Sequence, residues 1–337
     1  MDQATKVAIA RELIESHPNA AKRALARRLC IENPQIFANV EAARNVVRYA
    51  MGCYGDRDRK KLGIKKKDAP IGKAGWKAAI PPSLAEPWDA VQIDGPAKVL
   101  SLSDAHIPYH SSEAITAAVA YGKKRFKPDV LLLNGDTIDF YTISRFDKNP
   151  KKRDLVREVD LTEAFLEWLA EQFPKARKIF KAGNHDERWD KYIWNHAPAL
   201  WGLENTRLQD ILHLADYGFE YVGDQRPIMA GKLAIFHGHE LGNGANSPVN
   251  PARGAFMKTL GSVLVGHHHR TSTHAESDMW HSETATWSTG CLCDLRPEYN
   301  RVSNKWNWGF AVVEVDASGS YDVHNLRLSD EYVARAS

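Results

Sequence analysis

The sequence has little cysteine and no long hydrophobic run. These two features argue against a disulfide-rich protein and against a membrane protein. No stretch of about 18 consecutive apolar residues occurs among the 337 residues, which argues against a transmembrane helix. The first twenty residues carry acidic side chains and lack the apolar core of a signal peptide. The cysteines fit neither a zinc-type pairing nor a disulfide framework at this length; they are Cys30, Cys53, Cys291 and Cys293. We therefore expect a globular cytoplasmic protein without a membrane partner.

Internal repeats and unusual composition are also missing. Hydrophobic residues make up 43% and charged residues 26% of the chain, which is ordinary for a globular protein. A chain of 337 residues is long enough for one sizeable domain and a smaller one. The sequence gives no indication of the oligomeric state.

Positive charge is concentrated at the front of the chain. Residues 1–70 hold 15 Lys and Arg against eight Asp and Glu, so this segment carries a net charge of +7. The rest of the chain has a small acidic excess, because the whole protein carries only +3. A basic stretch, RDRKKLGIKKK, occupies residues 57–67. Such a segment is typical of proteins that neutralise the phosphates of nucleic acid.

The front segment has the pattern of three short helices, at residues 4–16, 20–30 and 40–51. Asn19 and Asn39 are suited to cap the second and third of them. Basic residues fall on these two helices: Lys22, Arg23, Arg27, Arg28, Arg44 and Arg48. We predict a helical domain at residues 1–54, of helix-turn-helix character, that binds nucleic acid. The alternative is a packed helical appendage with a solvated basic face.

Five short apolar runs further along the chain each end in Asp, Asn or His. They are VLSLSDAH at 99–106, VLLLNGDTID at 130–139, FKAGNHDER at 180–188, LAIFHGHE at 233–240 and SVLVGHHHR at 262–270. Each run is typical of a buried strand that delivers polar side chains from its carboxyl end. One Asp after a strand is often only a turn or helix cap, and one Asn-His-Asp run is often a polar turn. Five such runs together favour a metal site.

The chemistry of a two-metal phosphoesterase needs these residue types. Two divalent cations about 3.5–4 Å apart require a shared carboxylate, further imidazole and carboxylate ligands, and open positions for water and a phosphate oxygen. Water bound in this way loses a proton near neutral pH, and the resulting hydroxide attacks phosphorus. The leaving oxygen then takes a proton from a nearby imidazole.

Over about residues 97–327 the chain resembles the calcineurin-like metallophosphoesterases. The motifs of that family are D-x-H, G-D-x-x-D, G-N-H-[DE], H-G and G-H-x-H, and all five are present here in order. They stand at Asp104–His106, Gly135–Asp139, Gly183–Asp186, His237–Gly238 and Gly266–His269. The overall layout is also similar to phage and prophage members of the family that are described as DNA-repair exonuclease-like.

The resemblance implies a role for each motif residue. Asp104, His106 and His269 would hold one metal, and Asn184, His237 and His267 the other. Asp136 would bridge the two metals. His185 would protonate the leaving group, and Asp186 would orient His185. Mn²⁺ is the expected ion, with Fe, Zn, Co and Ni as alternatives, because mixed imidazole and carboxylate sites accept several metals.

Four further residues are candidates for binding substrate. His239 would share a strand face with His237, so spacing alone permits either to be the metal ligand. His268 would point away from its two histidine neighbours, towards substrate or behind a ligand. Arg253 and Arg145 could grip phosphate with a fork-shaped guanidinium, although a loop salt bridge explains Arg253 equally well.

We expect an α/β fold, and the resemblance implies a two-sheet αββα sandwich with the small helical domain in front. Residues 55–96 are predicted to be a basic Pro/Gly-containing linker or arm, pinned by Trp76 and Trp88, and residues 97–337 the phosphoesterase domain. Amphipathic helices are predicted at 112–124 and 160–173. Residues 188–230 would form a mostly helical cap, whose tryptophans either pack the cap or stack on bases.

The sequence therefore predicts a metal-dependent phosphoesterase, with nucleic acid as the favoured diester substrate because a basic front domain would tether the enzyme to a polymer. Two alternatives remain at this point. One is a phosphomonoesterase or small-nucleotide hydrolase. The other is a nucleic-acid-binding regulator with a vestigial metal site, which the intact Asn184 and His185 disfavour.

Overall fold

The chain divides into two compact units, Met1–Ala85 and Glu86–Ser337. The computed structural model describes residues 2–18, 20–51, 85, 88–147, 149, 151, 154–242, 249–297, 304–329, 332 and 334–336. Several residues named above lie outside these ranges: Asn19, Cys53, the basic stretch 57–67 and Trp76.

The described part of the first unit contains three helices. They are α1 Gln3–Ser16, α2 Lys22–Glu32 and α3 Val40–Met51. Each helix buries one apolar face in a common core, to which Ile14, Leu29 and Val47 contribute side chains that are almost fully buried. Asn39 accepts a hydrogen bond from the Ala42 amide and so begins α3, as predicted. The basic residues Arg23 and Arg27 are exposed on α2.

The second unit is built on two β-sheets. The larger has the order β13-β12-β11-β2-β3-β4-β5, with β2 to β5 parallel to one another. Its strands are β2 Ala97–Leu102, β3 Val130–Asn134, β4 Arg177–Lys181, β5 Phe219–Val222, β11 Gly309–Val315, β12 Tyr321–Leu328 and β13 Ala334–Ala336. All five residues of β3 are buried, which explains why this strand reads as a continuous apolar run.

The smaller sheet has the order β1-β6-β7-β8-β10-β9. Its strands are β1 Val91–Ile93, β6 Ile228–Ala230, β7 Leu233–Phe236, β8 Val263–Val265, β9 Ser272–Ser277 and β10 Glu283–Ser288. Strands β7 and β8 are parallel, so both end at the same edge of the sheet. This arrangement brings the residues after each of them close together.

The two sheets pack face to face, with helices outside them. Val99 and Leu132 of the larger sheet share a core with Ile235 and Leu264 of the smaller one. Helices cover the outer faces; they are α4 Ser112–Tyr121, α5 Leu155–Gln172, α6 Arg188–His196, α7 Leu208–Ile211 and α8 Pro251–Thr259. Helices α4 and α5 pack on the larger sheet, whereas Ala255 of α8 packs on Val263 and Val265 of the smaller. The predicted two-sheet αββα sandwich is confirmed.

Two predicted segment bounds differ from the structure. The last part of the proposed cap is not helical, because Phe219–Val222 and Ile228–Ala230 are strands of the two sheets. The end of the proposed linker also belongs to the second unit, since Val91–Ile93 pairs with Ile228–Ala230. Both errors concern strands of three or four residues, which are too short to show a clear period in sequence.

Candidate metal centre

The carboxyl ends of five strands deliver the candidate ligands to one edge of the sandwich. Asp104, Asp136 and Asn184 follow the adjacent parallel strands β2, β3 and β4. His237 and His267 follow the parallel pair β7 and β8. Parallel strands end at the same edge, and the face-to-face packing of the sheets brings the two sets of side chains together.

The first group of donor atoms belongs to Asp104, His106, Asp136 and His269. One atom from each lies within 4.8 Å of the others. The Asp104 Oδ1 to His269 Nε2 distance is 3.2 Å, and the His106 Nε2 to His269 Nε2 distance is 3.1 Å. All four residues are buried, with side chains directed at a common point.

A second group is formed by Asp136, His237 and His267, whose donor atoms also lie within 4.8 Å of one another. His237 Nε2 is 3.2 Å from Asp136 Oδ2. Asn184 lines the same cavity as Asp136 and His267, and its Oδ1 atom is buried. Because Asp136 belongs to both groups, its carboxylate has the position that a bridging ligand needs.

The backbone at this edge is strained. Asp104, His106, Asp136, His267 and His269 all have φ between 50° and 64°, in the left-handed region. This conformation is uncommon for residues other than glycine and costs about 1–3 kcal/mol at each position. Concentration of such residues at one place is typical of a functional site that the surrounding fold holds in shape.

Two glycines of the motifs are required by close packing. A Cβ atom on Gly135 would collide with the His237 ring, and one on Gly183 would collide with Asp136. Gly135 also has a φ of +88°. A larger residue at either position would therefore separate Asp136 from the strands that carry the other ligands.

Three of the buried polar atoms that lack a hydrogen-bond partner within the described part of the chain belong to the candidate ligands: Asn184 Oδ1, His237 Nε2 and His267 Nδ1. Unpaired polar atoms are unfavourable inside a protein, so their presence at one site indicates a ligand that they coordinate. The opposite nitrogens are supported, because His106 Nδ1 lies 3.0 Å from Asp139 Oδ1 and His237 Nδ1 lies 2.8 Å from the Asn134 carbonyl. This support leaves each Nε2 free to bind metal. The residues fit two divalent cations.

Buried carboxylates and histidines of the site shift one another's pKa values. Burial alone would raise the pKa of Asp104, but His269 and His237 lower it to about 2. Burial alone would lower the pKa of His237, yet the carboxylates of Asp136 and Asp104 raise it to about 10. The buried carboxylates thus stay ionised and attract positive charge, which bound cations would supply.

His185 lies beside the two groups and is positioned from both sides of its ring. Its Nδ1 atom is 2.9 Å from Asp139 Oδ1, and its Nε2 atom is 3.0 Å from Arg188 Nη2. Arg188 is held in turn, because its Nη1 donates to the Asp139 carbonyl at 2.6 Å. His185 Nε2 is 4.0 Å from Asp136 Oδ2, so the imidazole borders the proposed reaction centre.

Asp186 has a different role from the predicted one. Its carboxylate accepts hydrogen bonds from the backbone amides of Thr137, Ile138 and Gly183, and so joins the two loops that carry Asp136 and Asn184. Burial and the neighbouring Asp136 charge raise the pKa of Asp186 to about 7. The prediction that Asp186 orients His185 is corrected: Asp139 contacts the ring.

His237 and His239 do not occupy positions on one strand, because the strand ends before them. Strand β7 ends at Phe236, and Gly238 has a φ of +127°, so the two rings do not share a strand face. His239 Nε2 instead lies 3.2 Å from Glu187 Oε1. Between the two histidines, His237 is therefore the one directed at Asp136.

The other three residues predicted to bind substrate are His268, Arg253 and Arg145, and their environments differ. The His268 ring packs against His267, with 5.1 Å between centroids, and burial lowers its pKa to about 4. Arg253 is exposed in the first turn of α8, and it is not among the described residues that line either cavity near the site. Arg145 does line one of these cavities.

Two cavities open at the site. The main cavity, of about 850 Å³, contains Asp136, Asn184, His185 and His267 in its wall. The side cavity, of about 950 Å³, is lined by Arg145, Phe146, Arg188, Lys191, Tyr192 and His196, among others. Both volumes are within the usual range for small-ligand sites.

Several site residues were not identified from sequence. Asp139 and Arg188 contact His185, and Trp306 packs on His269 with 4.2 Å between ring centroids. Cys293 is buried, and its Sγ lies 3.9 Å from His269 Nδ1. Asp139 lies within the second motif, and Arg188 lies two residues after the third. Their position in or near a motif is the signal in the sequence that could have identified them. Nothing in the sequence around Trp306 indicates its contact.

A family model for calcineurin-like phosphoesterases matches residues 97–304. A comparison with curated proteins gave no match. Among the described residues, no helix is both long and apolar enough to cross a bilayer.

Proposed function

The chain belongs to the calcineurin-like phosphoesterase family, and we propose that it is a manganese-dependent phosphodiesterase that cleaves nucleic acid. Family membership and the clustered Asp and His residues support a metal-dependent phosphoesterase. The observation that carries the proposal is the position of Asp136, whose carboxylate belongs to both groups of donor atoms.

Each residue at the centre has a defined task in this proposal. Asp104, His106 and His269 would hold one cation together with Asp136, and Asn184, His237 and His267 would hold the second with the same carboxylate. Two bound cations would provide Lewis acidity towards the phosphate and lower the pKa of water. His185 gives a proton from Nε2 to the leaving oxygen after that atom has exchanged its contact with Arg188 Nη2 for a proton, and Asp139 keeps the ring in place through Nδ1.

Two features favour nucleic acid over a small phosphate monoester. Arg188 and Arg145 line the cavities beside the centre, where they can neutralise phosphates that flank the scissile bond. The front unit exposes Arg23 and Arg27, which provide a second region of phosphate contact. The layout's similarity to DNA-repair exonuclease-like phage proteins agrees with this substrate.

Manganese is proposed because the donor set mixes carboxylate and amide oxygens with imidazole nitrogens. Oxygen ligands suit Mn²⁺, and imidazole is acceptable to it as well as to Fe, Zn, Co and Ni. Thiolate ligands would instead favour zinc. Metal analysis of protein purified without added ions would identify the resident metal.

The proposal is tested with four substrates in the presence of Mn²⁺: bis-p-nitrophenyl phosphate, p-nitrophenyl phosphate, single-stranded DNA and double-stranded DNA. We expect hydrolysis of the diester and of DNA to exceed hydrolysis of the monoester, and EDTA to abolish all activity. Preferred hydrolysis of the monoester would instead establish a phosphomonoesterase. DNA binding without hydrolysis of any substrate would favour a regulator.

The His185→Ala variant tests the assignment of the acid. We expect kcat on DNA to fall by about 10²–10⁴-fold, and kcat on the p-nitrophenyl diester to fall much less, because p-nitrophenolate leaves without a proton. His324→Ala is a matched control, since His324 is a half-exposed histidine on β12. Equal losses on both substrates would remove the acid role from His185.

A further inference from the structure

The side cavity meets the main cavity at the proposed metal centre. Ser144, Phe146, Asn184 and Arg188 line both spaces. Asn184 is one of the proposed metal ligands, and Arg188 contacts His185. A molecule that lies in the side cavity can therefore be continuous with a phosphate at the centre.

The described wall of the side cavity is basic. Arg145, Arg188 and Lys191 contribute cationic groups, and no Asp or Glu is among its described lining residues. Lys191 is paired with Glu187 at 2.6 Å, and Arg188 Nη1 lies 3.9 Å from Asp139 Oδ2, so carboxylates outside the wall partly compensate these two charges. Arg188 already donates to the Asp139 carbonyl, which holds its guanidinium at the junction of the cavities. This charge favours an anionic ligand such as a phosphate.

Aromatic side chains occupy the same wall. Phe146 is 61% exposed and Tyr192 is 39% exposed, although large hydrophobic side chains are usually buried. The Arg145 guanidinium lies 5.1 Å from the centre of the Phe146 ring, so a cation and an aromatic face are presented side by side. Proteins that bind single-stranded nucleic acid combine these two features, because phosphates need cations and bases stack on aromatic rings.

We propose that the side cavity binds one nucleotide of the substrate, next to the scissile phosphate, with its base against Phe146 and Tyr192 and its phosphate near Arg145 and Arg188. This inference rests on the proposed phosphodiesterase function and specifies its substrate as an unpaired nucleotide chain. A cavity of about 950 Å³ has the size of a small-ligand site rather than a duplex-binding groove.

The kinetic test compares two diesters with the same leaving group. Thymidine 5′-monophosphate p-nitrophenyl ester carries a nucleoside, whereas bis-p-nitrophenyl phosphate does not. In the Phe146→Leu/Tyr192→Leu variant we expect the ratio of kcat/KM between the nucleoside ester and the simple diester to fall about tenfold or more, because each stacked base contributes roughly tenfold to a hundredfold in affinity. Arg145→Gln should lower the same ratio.

Trp280→Leu and Lys124→Gln are the matched controls, because both residues are exposed and neither is among the described lining of the cavities. Their ratios should stay within twofold of the wild-type value. A ratio for the double variant within twofold of wild type would overturn the inference while leaving the proposed function intact.

A binding measurement decides the inference if the wild-type protein hydrolyses neither ester. Titration of the full chain with thymidine 5′-monophosphate in EDTA, by calorimetry, should give an affinity about tenfold weaker in the double variant than in the wild type and in Trp280→Leu. Circular dichroism confirms that the variants are folded. No binding by the wild type, or equal binding by both proteins, would overturn the inference; failed hydrolysis with the expected binding difference would overturn only the proposed reaction.

Discussion

A single carboxylate oxygen, Oδ1 of Asp139, supports two imidazoles at the site. It lies 3.0 Å from His106 Nδ1 and 2.9 Å from His185 Nδ1. Burial alone would raise the pKa of Asp139, but both histidines lower it below its ordinary value. Asp139 therefore remains charged, and it links a proposed metal ligand to the proposed acid.

Asp139→Asn should disturb metal binding and proton transfer together. An amide has one oxygen and no charge, so it supports the two rings less well. We expect Mn²⁺ affinity, measured by calorimetry, and kcat on DNA each to fall by about 10–100-fold. Asp322→Asn is the control, since that side chain is 75% exposed on β12. Values for Asp139→Asn within twofold of wild type would contradict the supporting role.

Asp190 gives a pH-dependent prediction. Burial and Asp224 raise the pKa of this half-buried carboxyl to about 6, and its Oδ1 is unpaired within the described chain. The folded state holds the proton more tightly than the unfolded state, whose pKa is about 3.9. Stability from this group is therefore present below about pH 4 and is lost as pH rises through 6.

Asp190→Asn removes this ionisation. We expect the free energy of unfolding at pH 8 to rise by about 1 kcal/mol after allowance for solvent screening, which raises Tm by roughly 2–4 °C. At pH 4 the variant and the wild type should unfold at the same temperature. Thermal scans at both pH values make the comparison, and an equal shift at each pH would show that ionisation is not the cause.

The residues that cluster at the candidate metal centre could be predicted from sequence because they stand in short motifs with fixed spacing. The hydrogen-bond partners of these residues could not be predicted in this way. Asp186 is next to His185 in sequence, yet its carboxylate turns to the amides of Thr137 and Ile138, while Asp139 reaches the ring from another loop. Which carboxylate contacts the His185 ring depends on how the two loops approach each other in space. The sequence of neither loop determines that approach alone.

At the scale of elements, the apolar runs predicted strands but did not define their partners. Strands β2, β3 and β4 precede motif residues. They were recognisable in the sequence as apolar runs because both of their faces are buried. Strand β5, with the sequence FEYV, has only its two end residues buried, and sequence analysis placed it in a helical cap. This segment is a strand because it pairs with β4, and that pairing is a tertiary interaction.

A buried ion pair joins the two sheets behind the site. Lys181 at the end of β4 is fully buried, and its Nζ lies 2.8 Å from Glu240 Oε1. Glu240 also accepts hydrogen bonds from the amides of His237 and Gly238. The pair therefore connects the strand that precedes Asn184 to the turn that presents His237.

Lys181→Met should leave Glu240 buried without its cation. We expect the free energy of unfolding, measured with urea at neutral pH, to fall by about 3–5 kcal/mol. Adding Glu240→Gln should restore part of this loss, because the uncompensated charge is removed. Lys178→Met on the same strand is the control and should change stability much less, since Lys178 is only partly buried. Similar losses for both lysine variants would count against the pair.

At the scale of the whole molecule, the basic excess lies within the first of the two units. The net charge of +7 lies in residues 1–70, while the metal centre is in the unit Glu86–Ser337. In the proposed function, recruitment to a polymer and hydrolysis therefore belong to different units. The composition indicated a basic front segment, but which basic residues are available to a partner depends on exposure, and only the structure identifies Arg23 and Arg27 as exposed on α2.

The salt dependence of DNA binding tests the role of the front unit. Each phosphate contact contributes about 0.9 to the slope of log K against log salt for duplex DNA. Arg23→Gln/Arg27→Gln in the full chain should therefore reduce the slope by up to about 1.8 units. Hydrolysis of bis-p-nitrophenyl phosphate should be unchanged, because neither arginine belongs to the unit that carries the candidate metal centre. Lys124→Gln/Lys175→Gln removes the same charge from exposed positions of the second unit and should leave the slope as it is. Equal slopes for the arginine variant and the wild type would mean that α2 does not contact phosphate, and that the basic face of the front unit is only solvated.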